Sequence, residues 1–82
     1  MTSNLANPSL SNPEMEGFVI ASLLVAPEMI AQVRPIISPE SFSIEGNGEI
    51  FRAIVEIGEH ADFFTVSEHL RQTGRLARVE AT

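Results

Sequence analysis

Three arginines near the end of this 82-residue chain, Arg71, Arg75 and Arg78, sit at and beyond Gly74 in the stretch FFTVSEHLRQTGRLAR. Guanidinium groups gathered like this can meet phosphates, and a capped helix running into a glycine turn is how a helix-turn-helix begins. That motif needs a second helix after the turn to read base edges, and only Arg75 to Thr82 remains here. Cations near a helix C-terminus also complement its dipole, which is the simpler use for them.

The other reactive side chains do not assemble into a reaction. His60 and His69 are nine positions apart, which does not place them on one helix face, and no third ligand accompanies them. Gly46-Asn47-Gly48 lacks the Lys and Ser/Thr of a phosphate-binding loop, and the chain has no Lys at all. Glu14 and Glu16 diverge by roughly 200° around a helix, a poor geometry for paired acid and base work, and charge at a helix N-terminus accounts for both. Glu45, Glu49, Glu56 and Glu59 have the spacing of a solvated face, and no serine stands in a nucleophile elbow. We therefore assign no catalytic, cofactor-binding or metal-ligating residue.

The elements that carry these residues are helical. Ser11-Asn12-Pro13-Glu14 is a start signal, and the helix it opens runs to about Ala26. Met15, Phe18, Val19, Ser22 and Leu23 form its stripe, with Ile20, Leu24 and Val25 widening it. Pro27 breaks that helix and starts another over 28–37, with Pro35 tightening its end. Ser38-Pro39-Glu40 predicts a single turn that drops Phe42 into the core, and Gly46-Asn47-Gly48 punctuates the chain before a helix over 48–59. Thr65-Val66-Ser67-Glu68 reads as a capping box for a helix to Thr73, with Val66 and Leu70 inward and Gly74 as its stop. Leu76 and Val79 hint at one further turn. The expected fold is all-α, a small orthogonal bundle of four main helices plus short turns.

Composition sets the limits. A chain of this size buries only roughly 60% of its unfolded surface, so one compact core is the ceiling. There is no Cys, and the five Phe are expected in that core. A net charge of −6 opposes general nucleic-acid binding, and no apolar run approaches a membrane span. Residues 1–11, rich in Ser, Asn and Pro, are expected to form a flexible tail, and the chain is expected to be cytoplasmic.

From Pro13 to Val79 the chain resembles the N-terminal domain of DnaB-type replicative DNA helicases. The family's E-A-E-Q-x-V-L-G-x-L-L start is similar to Glu14 through Leu24, and its P-x-x-F turn to Pro39-Glu40-Ser41-Phe42. Its H-x-x-I-F helix is similar to Asn47 through Phe51, and its D-x-x-T-V-x-E-x-L-x-x-x-G-x-L segment to Asp62, Thr65, Val66, Glu68, Leu70, Gly74 and Leu76. Four pieces in one order are more specific than any piece alone. Asn47 replaces the usual His, Ala21 the usual Gly, and the loop before Asp62 is shorter, as in a diverged copy such as a phage or prophage carries.

The resemblance implies that residues 12–82 are that domain, truncated before its helical hairpin and without the ATPase motor. It implies a non-catalytic collar with no cofactor, acting in DNA replication. Its expected partners are other copies of itself, as a homodimer or within the parent's hexamer, and a primase or helicase loader, with no direct nucleic-acid or membrane contact. The alternatives are a small helix-turn-helix-like DNA-binding regulator and a generic dimerising helical protein.

Overall fold

A computed structural model describes residues 12–81, so the tail expected over 1–11 lies outside the described residues. The first helix, α1 (Pro13–Val25), starts where the side chain of Asn12 accepts hydrogen bonds from the amides of Glu14 and Met15, at 2.9 and 3.3 Å. Pro13 occupies the first turn, where its missing N–H costs nothing. Pro27 then forces a turn, and the chain bends by 113°.

The second helix is composite and shorter than the predicted 28–37. A 3-10 turn, Pro27–Met29, runs directly into α2 (Ile30–Val33). Pro35 explains the early end, since it supplies no amide and its ring crowds the carbonyl one turn back. The predicted turn at Pro39–Ser41 is present, and it delivers Phe42 to the core, where its ring lies 5.2 Å from that of Phe51.

Helix α3 (Glu45–Ile57) begins three residues before the predicted start and takes Gly46-Asn47-Gly48 into its first turn. These glycines are not punctuation. A Cβ on Gly48 would come within 2.7 Å of the Pro39 carbonyl oxygen, so this position lets the 39–41 turn press against the helix backbone. Phe51, Ala53 and Ile54 are fully buried, and α3 packs against α1, that turn, α4 and α5, making it the axis of the fold.

Gly58, at φ +86°, ends α3, and the turn Gly58–His60 leads to α4 (Phe63–Gln72). Gly74, at φ +74°, stops α4 as expected. Its amide reaches the Arg71 carbonyl at 3.2 Å and that of Arg75 reaches Leu70 at 2.8 Å, the paired bonds of a Schellman motif. The further turn hinted at by Leu76 and Val79 is a five-residue helix, α5 (Leu76–Glu80). The fold is all-α, and no strand occurs among the described residues.

Two expectations about the core are corrected. Helix α1 buries Glu16, Ile20 and Leu23, while Met15, Phe18 and Val25 face outward. Of the five phenylalanines only Phe42 and Phe51 are buried, whereas Phe18, Phe63 and Phe64 are exposed. Apolar residues surround α1 on nearly every side, so periodicity could not choose its inner face.

Candidate functional site

What turns α1 to its observed face is a carboxylate. Glu16 is fully buried, and its Oε2 accepts from the Ser43 amide at 2.7 Å and the Ser43 hydroxyl at 2.5 Å. Its Oε1 accepts from the Ile44 amide at 3.3 Å and the Asn47 side-chain amide at 3.0 Å. Helix α3 has Ile44 at its N-cap, a residue with no side-chain oxygen to offer. Glu16 binds from another helix the two amides just ahead of α3 and the Asn47 side chain in its first turn, and its negative charge faces the positive end of α3. Burial pushes the pKa of Glu16 up, but the Ser43 and Asn47 side chains and the Ser43 and Ile44 amides outweigh it and hold the carboxyl below the usual range. The group is thus an anion committed to structure, with both oxygens occupied. The expectation that Glu14 and Glu16 share one role holds only for Glu14, which is exposed at the first turn of α1.

A second polar cluster joins α3 to α4 and α5. Glu56 Oε1 lies 2.6 Å from Arg75 and 2.7 Å from His69 Nε2. Glu49 accepts from Arg78 at 3.0 Å and has Arg75 at 3.5 Å. Glu49 is therefore buried under arginines, and the solvated face expected for Glu45, Glu49, Glu56 and Glu59 is correct for the other three. The His69 hydrogen bond is the main cause that lowers the pKa of Glu56; burial opposes it, and Arg75 reinforces it.

The arginines that suggested phosphate contacts are engaged within the fold. Arg71 pairs with Glu68 on its own helix, Arg78 with Glu49, and Arg75, only 15% exposed, with Glu49 and Glu56. Arg52 lies 3.5 Å from Glu40. Four of the five arginines thus face carboxylates, and the turn after α4 leads to a helix too short to lie along a groove. His60 is exposed in the turn before α4, away from any partner shared with His69. Among the described residues no three His, Asp or Glu converge as a metal site would require.

The start of α4 revises another expectation. The capping box is Asp62 with Thr65, not Thr65 with Glu68: the Asp62 carboxylate accepts from the Thr65 amide at 2.7 Å, and the Thr65 hydroxyl oxygen accepts from the Asp62 amide at 2.8 Å. The Thr65 amide is the main cause that lowers the pKa of Asp62.

The surface also carries large apolar side chains. Phe18 is 69% and Val25 86% exposed on α1, and Phe63 is 77% exposed beside an open groove of about 370 Å³ lined by Leu24, Ile50, Val66, Leu70 and Leu76. Such surface binds rather than reacts.

The profile of the DnaB-like helicase N terminal domain matches residues 9–82. The chain belongs to this family. Within it, the chain is similar to a curated protein described as replicative DNA helicase DnaB from Rhodothermus marinus, with 39% identity over 72 residues. That alignment covers 84% of this chain and 8% of the relative, so the chain spans a small part of the relative's length. No solved structure matches it with significance. The matching family model is that of the N-terminal domain, not the ATPase domain, of DnaB-type helicases. No single helix among the chain's described residues is long and apolar enough to cross a membrane.

The Glu16 anchor was missed by sequence reasoning, although one signal was present. Once α3 is started at Glu45, its N-cap is Ile44, which has no side-chain oxygen, so nothing local holds the Ser43–Ile44 entry to the helix. The glycines at 46 and 48 hid that start.

Proposed function

We propose that this chain is a non-catalytic assembly and docking unit of a replicative helicase, a collar element that associates with copies of itself and engages a primase or loader in the cytoplasm. The observation that carries the reading is the division of labour in the fold. Glu16, Glu49, Glu56, Arg75 and Arg78 are used to hold helices together, while several large apolar side chains, among them Phe18, Val25, Phe63 and Phe64, are presented to water. A surface of that kind supports partner recognition. Family membership supports replication as the setting.

The reading predicts that the isolated chain, added in excess, competes with the full-length helicase for its partner and lowers helicase-stimulated primer synthesis. Unchanged primer synthesis and unchanged helicase loading at saturating chain would overturn it. A DNA-binding role would instead show as salt-sensitive retention on duplex DNA, lost on Arg71 and Arg78 substitution.

A further inference from the structure

Asn47-Gly48 is the step of this chain best suited to lose a side-chain amide without an enzyme. The reaction needs the backbone nitrogen that follows an asparagine to reach that asparagine's Cγ, and a glycine leaves the approach open because it has no Cβ. The chain has four asparagines, and the other three lack such a neighbour. Asn7 and Asn12 precede prolines, whose nitrogens carry no hydrogen to give up, and Asn4 precedes the branched Leu5. We propose that Asn47 is a site of spontaneous deamidation, that Glu16 holds it unreactive in the folded chain, and that the product disconnects α1 from α3. The chemistry does not depend on any partner.

Water is the only co-reactant. The Gly48 nitrogen gives up its proton and attacks Asn47 Cγ, the bond from Cγ to the side-chain nitrogen breaks, and ammonia leaves behind a cyclic succinimide. Water then opens the ring at one carbonyl or the other, giving aspartate or, with an extra methylene in the main chain, isoaspartate. Nothing is oxidised or reduced.

The fold opposes the first step. Asn47 lies in the first turn of α3, where helical ψ keeps the next nitrogen away from Cγ. Its side-chain nitrogen is held by Glu16 Oε1 at 3.0 Å, and the Gly48 amide by the Ile44 carbonyl at 3.2 Å. That second restraint is weak by itself, because the Asn47 amide shares the same carbonyl at 3.0 Å and glycines stand at 46 and 48. Ile44 adds no side-chain cap. The turn stays closed because Glu16 grips it, and ring closure follows the population of the opened turn.

Deamidation then breaks the grip that delayed it. Where Glu16 now accepts from an NH2 group, it would face a second carboxylate, and like charges at that distance force one to take a proton or the pair to separate. Isoaspartate also lengthens the backbone inside the turn that Glu16 fits. Either product frees the first turn of α1, and the amides of Ser43 and Ile44 lose their acceptor with it. Refolding does not restore the amide, so the release is permanent.

The test is to age the 82-residue chain in mildly alkaline buffer and follow the amide-to-acid mass change at Asn47 by tandem mass spectrometry, with the two product isomers separated by chromatography. Glu16→Ala is expected to deamidate at least fivefold faster than the unaltered chain, and Glu16→Gln at an intermediate rate. Val66→Ala, which loosens the core at α4, should change the rate less than twofold while both chains remain folded. In urea all four chains should share one faster rate. Asn47→Asp, made directly, should lower the melting temperature near neutral pH and speed hydrogen exchange at the Ser43 and Ile44 amides, with the gap to the unaltered chain closing as pH falls and a carboxylate takes up a proton. A folded chain that reacts as fast as the urea-unfolded one, equal acceleration by Glu16→Ala and Val66→Ala, or an Asn47→Asp chain with unchanged melting and exchange would overturn the proposal.

Discussion

The carboxylate of Glu16 lies 2.7 Å from the amide of Ser43, and this one contact joins the first turn of α1 to the start of α3 across 27 residues of chain. It decides which face of α1 is buried and which is left exposed. Replacing Glu16 with Ala should cost about 1–3 kcal/mol, because it removes the acceptor of the part-buried amides at Ser43 and Ile44 together with the Asn47 side chain. Glu16→Gln should recover only part, since its NH2 would face donors. Urea unfolding of both variants gives the numbers, and an unchanged midpoint for Glu16→Ala would show the anchor to be dispensable.

Acid should unfold the protein through its carboxylates. Glu16, Glu56 and Asp62 all have folded pKa values lowered from their ordinary values of 4.5, 4.5 and 3.8. A lowered folded pKa contributes stability that is complete above the ordinary value and is lost as pH falls through the folded one. Thermal midpoints should therefore fall steadily below about pH 4.5, and the fall should be shallower in Glu16→Gln. A midpoint flat from pH 6 to pH 3 would contradict the assignment.

The capping box can be located by mutation. Asp62→Ala should lower the unfolding midpoint clearly, whereas Glu68→Ala, which removes only an exposed pair with Arg71, should leave it nearly unchanged. The opposite order in chemical denaturation would restore the Thr65–Glu68 arrangement.

Gly48→Ala tests the close approach of two backbones. Alanine favours a helix by about 1 kcal/mol over glycine, yet the new Cβ would meet the Pro39 oxygen at 2.7 Å. The clash should win, with a net loss of about 1–3 kcal/mol. A stabilised Gly48→Ala would mean that the turn moves away freely.

Phe51→Ala and Leu23→Ala should be among the most damaging core changes, at about 3–5 and 2–5 kcal/mol, because both side chains are almost completely enclosed. Calorimetry measures each loss, and a shift of less than a degree in either would misplace the core.

Much of the fold was legible before any coordinates. Proline and glycine set the breaks at Pro27, Pro39 and Gly74, and the amphipathic pattern of α3 placed Phe51 and Ile54 inside. What was not legible depends on contacts distant in sequence. Gly48 looks like a loop residue until the Pro39 carbonyl is beside it, and Glu49 looks solvated until Arg75 and Arg78 return from the far end of the chain. Glu16 resembles an ordinary first-turn acid because Ser43 and Asn47 carry no local sign that they need it. The same blindness applied to α1: a helix apolar on all sides cannot reveal its outer face, and Phe18 was expected inside.

The central claim, that the chain binds replication partners and performs no chemistry itself, is tested most directly by titrating the purified chain into primase and into loader in a calorimeter, with ATP turnover measured on the same sample. The account predicts saturable binding to at least one of them and no ATP hydrolysis above buffer. Absence of binding to both, or ATP turnover that scales with chain concentration, would contradict it.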